Sequence, residues 1–92
     1  MTIVPAAAET LALKALTQLA GEAETLRRFL DLSGLELDGL RARAAEPELL
    51  AAVLDFILGD EPSLAAFLAA EGIGANVVHA ARAALPGAVL ET

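Results

Sequence analysis

The sequence has no cysteine, no tryptophan, no tyrosine and a single histidine. Without cysteine there is no disulfide to staple a small fold and no thiol nucleophile, and the composition fits a reducing cytoplasm, the expected location. One histidine, His79, and two serines leave little from which to build a nucleophile beside a base. Long apolar runs are also missing. The uncharged windows Pro62–Ala70 and Gly72–Ala81 fall far short of the roughly 20 residues that cross a bilayer. Met1 to Glu9 carries no basic residue, so no export signal is expected there. Basic residues are few: six against thirteen acidic ones give a formal charge of −7, a field that repels phosphate backbones and anionic lipid and keeps an alanine-rich surface soluble.

What is present is leucine and alanine, the bulk of a 57% hydrophobic content. Both favour helices, while the β-branched and aromatic residues that fill strands are scarce. Ninety-two residues suffice for one modest core, so the chain is expected to be a single helical domain over 1–92, with its core about 6–85 and a frayed tail over 86–92. The fold class this implies is all-α, a compact bundle of five to six short helices.

Helical spacing locates them. Pro5 suits a first turn, and Leu11, Ala12, Ala15, Leu16 and Leu19 recur on one side up to Gly21. Leu26, Phe29 and Leu30 form the second stripe, ending at Gly34, with Glu24–Arg28 and Arg27–Asp31 four apart as exposed ion pairs. Asp38 is placed to cap a third helix running to about Ala45. From Pro47, Leu49, Leu50, Val53, Leu54, Phe56, Ile57 and Leu58 cover most of a fourth, leaving Glu48, Ala51, Ala52 and Asp55 as a narrow solvent stripe. Asp60 and Pro62 open a fifth with Leu64, Phe67 and Leu68 inward, closed by Gly72. Asn76 is placed to cap a sixth, which carries Val77, Val78, Ala81 and Leu85 and stops at Pro86 and Gly87.

A shift of thirty-eight residues aligns Gly21–Glu46 with Gly59–Ala84. It matches Gly21 with Gly59, Leu26 with Leu64, Phe29 with Phe67, Leu30 with Leu68, Gly34 with Gly72, Ala42 with Ala80 and Ala45 with Ala83. Each copy reads as helix, glycine turn, short helix, which predicts two similar helix hairpins around a central buried fourth helix in a pseudo-twofold bundle.

Three constellations invite a functional reading. Asp55, Asp60 and Glu61 could converge near one end of the fourth helix as a metal site or carboxylate pair, although each also has structural work as a solvent-face, cap or first-turn residue. Phe29–Arg43 has the outline of a helix-turn-helix, but a bulky Leu30 and the acidic Glu36 and Asp38 count against DNA binding. Asp31, Leu32 and Ser33 suggest an acyl-carrier attachment serine, but Ser33 precedes a helix-ending glycine instead of starting a helix. No catalytic, cofactor-binding or metal-binding residue is assigned, and no cofactor is expected.

The segments Ala15–Ala20 (ALTQLA), Phe29–Leu35 (FLDLSGL), Leu40–Ala45 (LRARAA) and above all Leu50–Glu61 (LAAVLDFILGDE), in that order, resemble a family of small alphaproteobacterial proteins known as domain of unknown function 3572. The resemblance implies a bacterial cytoplasmic helical protein and supplies no activity or site residue. The expected function is a non-enzymatic protein-interaction module with a protein partner or a second copy, without direct nucleic-acid or membrane binding. Its surface would be an alanine face, either Ala8, Ala12 and Ala15 or Ala65, Ala66 and Ala69. The alternatives are a small ligand- or metal-binding protein or enzyme using the acidic cluster, and a nucleic-acid-associated helix-turn-helix-like module.

Overall fold

A computed structural model describes residues 1–87. Among them the chain forms six helices and no strand: α1 (Pro5–Ala20), α2 (Ala23–Ser33), α3 (Leu37–Arg43), α4 (Pro47–Leu58), α5 (Glu61–Glu71) and α6 (Ala75–Ala83). Proline sits in the first turn of α1, α4 and α5, where its missing N–H would have had no helical partner. Gly34 and Gly72 end α2 and α5 with φ of 75° and 67°, each returning its N–H to a leucine carbonyl, that of Leu30 or Leu68. A side chain in that left-handed conformation is strained, which is why glycine stands there.

α1 and α4 form the centre. They pack along one another, α6 lies across both, and α2 and α5 each touch both central helices. α1 meets its neighbours through Ala8, Ala12 and Ala15, all 0% exposed, with Leu16 and Leu19 below them. α4 contributes Leu49, Leu50, Ala51, Val53, Leu54 and Ile57 to the same cluster, to which every helix supplies at least one side chain. Phe29 and Phe67, at equivalent places in α2 and α5, are both buried, and Phe29 meets Phe56 edge-on at 5.5 Å.

The thirty-eight-residue relation holds in the backbone and reaches further than the sequence matches. α2 and α5 have the same length and start thirty-eight residues apart, α3 and α6 start thirty-eight apart with seven and nine residues, and Gly21 and Gly59 close α1 and α4 in the same αR conformation. The units are therefore three helices each, with α1 and α4 as counterparts. The symmetry fails at the third helix: α6 lies across α1 and α4, whereas α3 has no extended contact and enters the core through Leu40.

Four expectations need correction. Asp38 and Asn76 are not caps: each helix begins two residues earlier, behind the extended residues Glu36 and Gly74, and both polar side chains fall in first turns. α3 also ends at Arg43, short of Ala45. On α4 the solvent stripe shrinks, because helices close in on several sides and bury Ala51, while half-buried Ala52 lies beside Phe29. Arg28 turns away from Glu24 to reach another helix, and Glu24 pairs instead with Arg27 at 3.4 Å. Of the proposed tail, Pro86 and Gly87 are exposed and tied to Arg82, and 88–92 lies outside the described residues.

Close packing at the alanine stripe makes a direct prediction. Ala12→Leu should lower unfolding stability by about 1–3 kcal/mol in urea melts, while Ala7→Leu, on the exposed side of the same helix, should stay within about 0.5 kcal/mol of the parent.

Candidate functional site

The acidic residues Asp55, Asp60 and Glu61 do not converge. Asp55, on the exposed side of α4, accepts from Arg82 Nε at 2.6 Å, and the same guanidinium donates to the carbonyls of Pro86 (3.2 Å) and Gly87 (3.1 Å). Asp60 caps α5 by accepting from the Ser63 N–H (3.2 Å) and hydroxyl, and takes a third hydrogen bond from Arg28 Nη1 at 2.8 Å. Glu61 stands exposed in the first turn of α5. The two aspartates thus fasten α4 to α6 and α2 to α5, and no group of three His, Cys, Asp or Glu among the described residues could hold a metal ion.

The Arg28–Asp60 pair has an electrostatic consequence. The hydrogen bond from Arg28, then that from Ser63, holds the Asp60 carboxyl down to about 2. Asp60 in turn raises the Arg28 guanidinium, whose central carbon lies 5.5 Å from the centre of the Phe56 ring.

This pair lies in a cleft of about 420 Å³ where the two related halves meet. Leu19, Glu22, Thr25 and Arg28 line it from one half; their counterparts Ile57, Asp60, Ser63 and Ala66 line it from the other, with Gln18, Gly21 and Pro62 completing the wall. The halves differ in chemistry. Asp60 caps its helix through Ser63, whereas Glu22 leads α2 without a side-chain cap and Thr25 takes the place of Ser63. Arg28 faces Ala66 across the relation, so the cleft has one guanidinium and not two.

The outer faces of α2 and α5 differ more. Glu24, Arg27 and Asp31 point outward on α2, as expected of a solvated helix. At the matching positions α5 carries Pro62, Ala65 and Ala69, all exposed, and Ala66 beside them is exposed as well. Leu64 and Leu68 are half-buried and join Glu61, Pro62 and Ala65 around a shallow apolar hollow. Of the two alanine faces singled out in the sequence, Ala8, Ala12 and Ala15 are consumed by the core, while Ala65, Ala66 and Ala69 remain open.

The other candidates have local roles. Ser33 donates to the Leu30 carbonyl at 3.3 Å and accepts from the Leu35 N–H at 3.3 Å, behaviour of a helix C-terminus. On α3, Arg41 lies 3.9 Å from Asp38 and Arg43 2.8 Å from Glu46, so nearby carboxylates offset both would-be phosphate contacts. His79 is exposed on α6.

The profile of the family described as "Protein of unknown function (DUF3572)" matches residues 5–88. The chain belongs to this family. The match spans all six helices, so the arrangement of paired halves falls wholly within the family region. No curated protein and no solved structure matches the chain.

Because Asp60 binds a proton less readily in the folded chain than in the unfolded one, its stabilising contribution is complete above about pH 4 and is lost as pH falls towards 2. The stability gap between the parent and Asp60→Asn, followed by urea melts, should be widest above pH 4 and close across that interval.

Proposed function

We propose that this chain is a non-enzymatic protein-interaction module of the cytoplasm that offers the outer face of α5 to a protein partner. The observation that carries the reading is the contrast between two helices with the same place in the fold. α2 turns Glu24, Arg27 and Asp31 to water, with Leu32 exposed at its C-terminal end, and α5 turns Pro62, Ala65 and Ala69 outward at the positions that match the three charges. A small protein gains nothing in solubility from leaving such a strip bare, and exposed alanines let another helix approach closely. Ser33 and Ser63, the only serines, are engaged in holding helix ends, which leaves them to structure and not to catalysis. Among the described residues no single helix is long and apolar enough to cross a membrane.

The test is to purify the tagged chain gently from its native cell beside Ala65→Arg, which gives α5 the charge that Arg27 gives α2. The wild-type chain should bring a stoichiometric partner that the variant loses while its helical circular dichroism is unchanged. Retention of the same partner by a folded Ala65→Arg chain would sink the reading, as would a wild-type chain that emerges alone.

The cleft supports a second reading, a small-ligand site, because Glu22 and Thr25 line it without the capping arrangement that occupies Asp60 and Ser63. A ligand held there should raise the melting temperature of the parent but not that of Glu22→Ala. Equal shifts in both chains would place the ligand elsewhere.

A further inference from the structure

The charge around the α5 face narrows the partner. Glu71, at the C-terminal end of the helix, is met by Lys14 at 3.5 Å, and Asp60, just before the helix, is met by Arg28. Glu61 lies between these neutralised ends on the rim of the hollow, and none of the ion pairs among the described residues includes it. α5 carries no basic residue of its own. The face is therefore apolar with one uncompensated carboxylate at its N-terminal end, and it belongs to a chain of net charge −7.

Charge decides against a second copy, and size sets the shape of the occupant. Eleven residues of helix make a strip about 16 Å long and one helix wide. Apposing two such chains would bring together two bodies of the same strong sign. A strip of this size fits one helix laid along it.

We infer that the α5 face receives a single amphipathic helix of another protein, with small aliphatic side chains against Ala65 and Ala69 and a lysine or arginine beside Glu61. This rests on the interaction reading and adds the chemistry of the partner. The alanines set how closely the helix approaches, and Glu61, with the acidic field behind it, sets which end of the helix lies where and rejects acidic competitors.

The test titrates the isotope-labelled full chain with two synthetic helices of about 18 residues that share one Leu/Ala face, one flanked by lysines and the other by glutamates, and follows backbone amide shifts by NMR. The lysine-flanked helix should shift amides of α5 and bind more tightly. Glu61→Lys should weaken it about fivefold or more and reverse the preference between the two helices. Ala65→Arg should abolish both interactions. If the lysine-flanked helix shifts amides across the whole acidic surface and ignores Ala65→Arg, the inference is overturned. If Ala65→Arg abolishes binding but Glu61→Lys leaves it unchanged, the docking face stands and the basic partner falls. If sedimentation of the chain alone finds a dimer that Ala65→Arg dissociates, a second copy is the occupant and the inference again fails.

Discussion

The close approach of α1 to its neighbours holds the rest in place. Three alanines at helical spacing, Ala8, Ala12 and Ala15, keep α1 thin on the side where it meets the bundle, so α4 and α6 can come near without side chains holding them apart. α4 fills the space with larger aliphatics, and the pair becomes a platform. α6 spans it, and the two phenylalanines of α2 and α5 are driven into its flanks. In a chain with no cysteine to cross-link it, this packing, with the interhelical ion pairs Arg28–Asp60, Arg82–Asp55 and Lys14–Glu71, takes the place of a covalent staple.

On that platform the chain uses one local plan twice and then gives the copies different surfaces. The left-handed glycines, the lengths of α2 and α5 and the buried phenylalanines agree between halves, because each is fixed by backbone geometry or by the core. Groups that face water are free to differ. At the cleft, Glu22 and Asp60 share a position, but only Asp60 has an arginine and a serine to hold it. On the outside, the charges of α2 answer to the bare face of α5.

Helix order and most boundaries were legible in the sequence because proline and glycine mark them chemically: Pro5, Gly21, Gly34, Pro47 and Gly72 all fall where the periodicity places them. The starts of α3 and α6 were not, since Asp38 and Asn76 have good capping side chains but the chain is already helical at the residue before each. The inclusion of α1 and α4 in the repeat was hidden as well. Leu11 and Leu16 match Leu49 and Leu54, but Ala12 and Ala15 of α1 stand where α4 has Leu50 and Val53, a small-for-large exchange that complementary packing favours. For the site, the exposed Ala65, Ala66 and Ala69 strip was visible as composition, whereas the partners of Asp55 and Asp60 lie 27 and 32 residues away and emerge only from tertiary structure. Nothing in the spacing signals the cleft, which is assembled from two halves of the chain.

The difference between α2 and α5 also fixes a valence. Had both outward faces been bare, a body made of two related halves would offer two like docking edges and could link partners into chains. With Glu24, Arg27 and Asp31 turned outward on one of them, whatever lies along α5 meets such an edge once per molecule. Under the proposed docking, a complex built on this face is bounded at one partner for each copy.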